Sequence, residues 1–343
     1  MNQPIGAAVA AGQTRQGRGV QKKLLYGLLL LALILAPMAG AYPVFVLKVL
    51  CFALFACAFN LLIGYTGLLS FGHAAFFGGA AYTAGHAMKA WGVTPEVGLV
   101  LGTLAGALIG YVVGYIAIRR QGIYFSMITL ALAQMLFFFC LQVPYTGGED
   151  GLQGIPRGKL FGLLPLANDL TLYYVALAII VAAFALIVRV VHSPFGQILK
   201  AIKENEPRTI SLGYDTDRFK LMAFVLSAAL SGLAGSIKAL VLGFATLTDV
   251  HWSMSGSVIL MTLVGGLGTL SGPLVGAFVV VALENKLGDI GNFLASATGI
   301  EWFGTLGESV TMVTGVIFVI CVLTFRRGIM GEVMARFFGK SRE

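Results

Sequence analysis

Apolar residues fill ten stretches of the chain, at about 24–41, 44–63, 66–88, 97–118, 123–143, 170–191, 221–242, 256–270, 273–283 and 305–324. A hydrocarbon layer of about 30 Å takes ~20 helical residues to cross. The pattern therefore predicts an all-α, polytopic transmembrane bundle of about ten spans. The runs at 256–270 and 273–283 are short for a span, and Gly265-Gly266-Leu267-Gly268-Thr269-Leu270-Ser271-Gly272-Pro273 lies between them. That spacing predicts broken or re-entrant helices, which are tolerated only where protein or water satisfies the freed backbone groups. One polar joint stands apart from the others, His192 to Lys220, HSPFGQILKAIKENEPRTISLGYDTDRFK. Ser193 suits a helix cap and Pro194 the first helical position. Phe195, Ile198, Leu199 and Ile202 recur at i, i+3, i+4 and i+7, one apolar stripe. Glu206-Pro207 ends that helix, because the residue before a proline disfavours the helical region. A second short turn then runs to Gly213, a C-terminal stop. An amphipathic helix in this setting docks a partner, lies on lipid headgroups, or is simply solvated.

Composition agrees with a membrane protein. The chain is 58% hydrophobic and only 11% charged, with a mean hydropathy of +0.89, against about 25% charged residues in soluble domains. The net charge of +8 does not indicate nucleic acid, because the basic residues are spread by a membrane rule. With the N-terminus inside, the inner segments hold Arg15, Arg18, Lys22, Lys23, Arg119, Arg120, Arg189, Lys200, Lys203, Arg208, Arg218, Lys220, Arg326, Arg327, Arg336, Lys340 and Arg342. These are 17 of the 23 Lys and Arg residues, a positive-inside asymmetry that makes both termini and 192–220 cytoplasmic. Residues 1–23 read as a disordered cytoplasmic N-terminus, 24–325 as the transmembrane domain and 326–343 as a cytoplasmic tail. Leu24 to Ala41, preceded by basic residues and ending in Ala39-Gly40-Ala41, reads as an uncleaved first span rather than a removed signal. Cys51, Cys57, Cys140 and Cys321 all lie in apolar runs and read as packing residues.

Few groups suggest chemistry. Ser70 and His73 sit three apart, so a hydrolase pair is conceivable, but no oxyanion donor or orienting acid accompanies them. The Gly266 to Ser271 run mimics part of a dinucleotide fingerprint without the strand before it, and no phosphate-loop sequence occurs. Every acid lies in a loop or near a span end, and Lys48, Lys89 and Lys238 lie near outer ends, where their stems can snorkel. The chain therefore reads as a pathway without an energy source of its own. Asn60, Gln134, His73 and Thr129 are polar within spans and suit either a solute or interhelical hydrogen bonds. Gly64 to Ser70 and Gly265 to Ser271 share G-x-x-G-x-L-S. This is an echo of the kind found in transporters with glycine-interrupted repeats, although 45 glycines make coincidence a rival.

Five motifs in order carry a family resemblance. They are GYTGLLSFGHAAFFG (64–78) with Ala81-Tyr82-Thr83; Gly122-Ile123-Tyr124-Phe125 with Thr129-Leu130; TGGEDGL (146–152); Ser193-Pro194-Phe195-Gly196 through Leu212-Gly213; and GGLGTLSGP (265–273) with Gly276-Ala277. Together they resemble the LivH/LivM family of permeases of branched-chain amino-acid importers, on its LivM side, over residues 24 to 331. The resemblance implies a bacterial inner-membrane permease that works with a second LivH-like permease, two cytosolic ATPase subunits and an extracytoplasmic solute-binding protein. It implies no cofactor and places ATP hydrolysis in the partners. By the same resemblance, 192–220 becomes the ATPase-coupling segment, with Pro194, Phe195, Ile198, Ile202, Glu206 and Gly213 as its points. Asn60, Ser70, His73, Thr129, Gly265, Gly268 and Ser271 become candidates for pathway lining or packing. Branched-chain amino acids are the expected solute, with urea and short amides as alternatives within the same frame. A stand-alone channel and an intramembrane hydrolase are the readings from other classes. The chain departs from the family at Phe325-Arg326-Arg327-Gly328-Ile329, where a proline is usual.

Overall fold

A computed structural model describes residues 27–38, 40, 42–162, 164–298, 310–324 and 328–337. The expected disordered stretch 1–23, Cys321 as a side chain, and Arg326 and Arg327 lie outside what is described. The chain divides into two units at Val46/Leu47. The first holds helical residues 27–35 (α1) and the opening turn of α2. The second holds the rest of α2 (Pro43–Thr66), α3 (His73–Ala90), α4 (Pro95–Ala117), α5 (Ile123–Gln142), α6 (Asp169–His192), α7 (Pro194–Glu204), α8 (Glu206–Ser211) and α9 (Thr216–Leu242). It continues with α10 (Trp252–Gly265), α11 (Gly272–Thr298), α12 (Val310–Thr324) and α13 (Gly328–Phe337). Five of the described helices, α2, α4, α5, α6 and α9, are long and apolar enough to cross a membrane. This is a polytopic helical membrane protein.

α2 is apolar on every side and is buried almost continuously from Leu47 to Thr66, the mark of a helix at the centre of a bundle. Phe52 and Phe55 stack on Phe77 of α3, with ring centroids 5.8 and 4.5 Å apart. Ser227 of α9 donates to the Ala58 carbonyl, and Thr262 of α10 donates to that of Ala56.

Helices in lipid gain no hydrophobic advantage from meeting one another, so they associate through small residues that let backbones touch. α4 shows this most fully, with Gly98, Gly102, Gly106, Gly110 and Gly114 at every fourth position. Gly98 faces Met88 of α3, and Gly102 lies at the joint of α3 and α9, against Ala80, Ala84 and Ser236. Gly106, Gly110 and Gly114 face Gly232, Ala228 and Phe224 of α9. The other face of α4 exposes Val97, Val100, Leu104, Leu108 and Tyr111. α3 crosses α9 so closely that a Cβ placed on Gly235 would lie 1.9 Å from the Phe77 carbonyl oxygen.

Short segments close one end of the bundle. Leu152–Gln153 (β1) pairs antiparallel with Phe244–Ala245 (β4), and Lys159–Leu160 (β2) with Leu164–Pro165 (β3). Lys89 donates to the Gln153 carbonyl. Arg157 reaches both Asp169 and the Val241 carbonyl at the end of α9.

Three expectations need correction. The run at 273–283 is no half-span, because α11 continues through Glu284 and Lys286 to Thr298. Charged residues end a hydropathy window there without ending the helix. Its neighbour α10 is short, 14 residues or about 21 Å at 1.5 Å per residue. A break between helices therefore stands at 266–271, as expected. Second, residues 328–337, read as tail, form α13, and Gly328 packs against the backbone of Gly265 and Gly266. Third, Lys238 does not snorkel. It is buried, with its ammonium on both carboxylate oxygens of Asp249, which is itself buried in the 3-10 turn Leu247–Asp249.

Candidate functional site

The described structure gathers the joints 64–72, 118–122, 194–220 and 265–272 at one end, here the basic end, marked by exposed Arg119, Arg120, Lys203 and Arg208. α6 stops at His192 and the chain turns sharply. Ser193 accepts from the Gly196 amide and donates to the Val190 carbonyl, and Pro194 starts α7 where its missing N–H is no loss. Gly196 is needed for the corner, since a Cβ there would lie 2.4 Å from the Val191 carbonyl oxygen. Leu199 and Ile202 are buried, and Ile198 is half-buried. Phe195 stacks on Phe219 of α9 at 5.8 Å. The apolar stripe thus faces the protein.

The break falls at Asn205, one residue before the expected position. Asn205 is extended (φ −157°, ψ 94°) and its side chain accepts from the Arg208 amide. Glu206 and Pro207 open α8 instead of ending α7, because a proline in a helix's first turn forfeits no hydrogen bond. α8 ends at Ser211, and the expected glycine stop follows its cap at Gly213, whose φ of +88° favours a residue without a Cβ. Glu206 points inward: its carboxylate accepts from buried Lys220 and from Thr216 of α9, and from Gln121 at 3.4 Å. Around the Gly213 turn, Ile210, Leu212 and Tyr214 stand 54%, 68% and 43% exposed, and the motif residues themselves did not point to them. Their signal was available as apolar side chains flanking a glycine stop.

The two glycine-rich joints meet each other. Asn60 donates to the Thr269 carbonyl at 2.8 Å and accepts from the Gly268 amide at 3.0 Å. A Cβ on Gly64 would lie 3.0 Å from the Gly268 nitrogen. Asn60 therefore satisfies backbone groups that the break after α10 sets free. Lys203 of α7 donates to the Gly64 carbonyl at 2.8 Å, and Lys200 lies 5.6 Å over the Tyr65 ring.

The remaining candidates are distributed around the 67–72 joint. Thr129 accepts from the Phe71 amide, and its neighbour Ser126 donates to the Leu69 carbonyl. Ser70 accepts from the Gly72 amide, whereas His73 pairs through Nε2 with Ser227 at 2.9 Å and sits edge-on to Phe59, Phe76 and Phe224. Ser70 and His73 make no hydrogen bond with each other, so the geometry gives the hydrolase reading no nucleophile–base pair. Gly265 closes tightly on Gly272, with a Cβ position 1.9 Å from its carbonyl oxygen. The Ser271 hydroxyl is buried with no partner among the described residues. No group of three metal-ligating side chains occurs among the described residues.

Comparison with known proteins gives the following. The family described as "Branched-chain amino acid transport system / permease component" matches residues 42–323. Two high-affinity branched-chain amino acid transport system permease proteins LivM, from Salmonella typhimurium and Escherichia coli, are each 27% identical over 262 residues. The match covers 68% of this chain and 60% of either relative, so the chain spans 60% of the length of these curated proteins. The ribose import permease protein RbsC of Bacillus subtilis is 30% identical over 47% of this chain and 51% of its own. No solved structure matches.

Proposed function

The chain belongs to the branched-chain amino acid transport system/permease component family, and from that premise we propose that it is a membrane-spanning subunit of an ATP-driven importer. It would form part of the translocation pathway beside a second, LivH-like permease. Two ATPase subunits would sit at the basic end and a solute-binding protein at the other, in a bacterial inner membrane. The positive charge at the 119–122 and 194–220 joints supports a cytoplasmic basic end. The observation that carries the coupling role is the braced pair α7–α8. Its inner face is fixed by Leu199, Ile202 and the Glu206–Lys220 ion pair, while Ile210, Leu212 and Tyr214 are left exposed. A rigid apolar tip of this kind suits a protein groove. The LivM relatives favour a branched-chain amino acid as solute. The ribose and autoinducer 2 permeases among the relatives support a second reading, another small polar solute chosen by the binding protein.

Purification of the tagged protein in mild detergent from its native membrane, with co-purifying subunits identified by mass spectrometry, tests the assembly. An ATPase and a second permease are expected. Isolation of the chain alone, where a known importer stays intact, would overturn the reading in favour of a channel. Glu206→Lys sets an ammonium against buried Lys220 and is expected to lower ATP-driven leucine uptake into vesicles by about tenfold or more, with membrane insertion retained. Unchanged coupled uptake would remove the segment from the coupling role.

A further inference from the structure

Both parts of 192–220 pack on α9, and one of them also grips α2. α8 is fastened to α9 through Glu206, Lys220 and Thr216. α7 stacks on α9 through Phe195 and Phe219 and is also fastened to the end of α2 through Lys203 and Lys200. Asn205 is extended between them. The grip on α2 has a physical basis. The last carbonyls of a helix lack intrahelical donors and carry the negative end of its dipole. Gly64 lies in the last turn of α2, and the Lys203 ammonium bonds its oxygen at 2.8 Å, with the lysine stem 3.3 Å from the Cβ position of Gly67. A charged donor on a carbonyl is short, directional and about twice as strong as a neutral bond. The apolar contacts of α7 have no such direction.

The grip leads directly to the break after α10. Gly64 abuts Gly268, and Asn60, four residues back on α2, holds both the Gly268 amide and the Thr269 carbonyl. Because these contacts are made by backbone and one amide side chain, displacement of Gly64 cannot be absorbed by rotamer changes at Gly268. Resting on the reading of 192–220 as the ATPase-contacting segment, we infer that Lys203 is a positioning residue for transport: it carries motion of α7 into the last turn of α2, and Asn60 passes that motion to the 266–269 break.

The test uses the whole importer in proteoliposomes, with ATP hydrolysis and solute uptake measured on the same preparation. Lys203→Met is expected to assemble with the ATPase and hydrolyse ATP at near the wild-type rate. Solute moved per ATP should fall about tenfold, the effect of losing one charge-assisted hydrogen bond. Lys203→Arg, which keeps the charged donor, should restore the ratio. Lys203→Met combined with Asn60→Ala should lower the ratio no further than the worse single variant, the non-additivity of one shared relay. An unchanged ratio in Lys203→Met overturns the inference. So does a parallel loss of hydrolysis and uptake, or failure to assemble, since either makes the lysine a structural or docking group. Absence of ATP-driven uptake in the wild type would instead overturn the importer reading itself, which separates the two failures.

Discussion

Asp249→Ala is expected to destabilise the protein by about 3–5 kcal/mol, because it leaves the Lys238 ammonium buried without its counter-charge. The Lys238 side chain is 6% exposed and that of Asp249 2%. Once the carboxylate is gone, the faces of Phe77 and Phe244 remain near the amine, 6.0 and 5.6 Å away, and a cation over a ring recovers only a part of what an anion gives. The partner change should be milder. Lys238→Met removes the cation, but Asp249 keeps the Thr246 amide and hydroxyl at 3.2 and 3.1 Å. Lys238→Met with Asp249→Asn should recover most of the loss, since replacing a whole buried pair is often close to neutral. Thermal melting of the four purified proteins in detergent gives the ranking. Equal melting of wild type and Asp249→Ala would show that this pair contributes nothing to the closed end of the bundle.

Gly235→Leu is expected to prevent folding. Overpacking usually costs about 1–3 kcal/mol, where neighbouring side chains can yield. Here the first atom met is the Phe77 backbone oxygen, 1.9 Å from the Cβ position, and yielding means separating α3 from α9 along their length. Gly256→Ala supplies the contrast. Nothing lies within 4 Å of that Cβ position, so the change should be neutral or gain up to about 1 kcal/mol of helix propensity. Yield of monodisperse protein by size-exclusion chromatography separates the outcomes. A folded Gly235→Leu protein with wild-type melting would mean that α3 and α9 are not held in backbone contact.

The capping of α7 and α8 was legible in the sequence because it is local chemistry. Ser193, Pro194 and Gly213 act on groups within a few residues, and all three behave as their types demand. The break at Asn205 was misplaced by one residue because a proline near a helix start and one near a helix stop look alike until the cap is seen. Asn60 and Thr129 were readable as interhelical hydrogen-bonding residues, but nothing in their neighbourhood named the partners. The contact of Asn60 with Gly268 and Thr269 joins residues more than two hundred positions apart. The echo of G-x-x-G-x-L-S likewise offered two similar joints without saying that they touch. Lys238 shows the opposite failure. Asp249 lies in what hydropathy treats as a loop, and only the fold turns that loop inward. The glycines of α4 at spacing four were in plain view, but a hydropathy reading counts glycine as neutral and passes over them.

That file of glycines also imposes an order on biosynthesis. Gly106, Gly110 and Gly114 fit only against α9, which is translated after α5, α6 and the whole basic segment between them. α4 can enter the bilayer early on hydropathy alone, but its tightest surface stays unmatched until Thr216–Leu242 has left the ribosome. A chain that stalls or is cut before that point presents the membrane with a bare groove of backbone, open to any other small-residue helix it meets first.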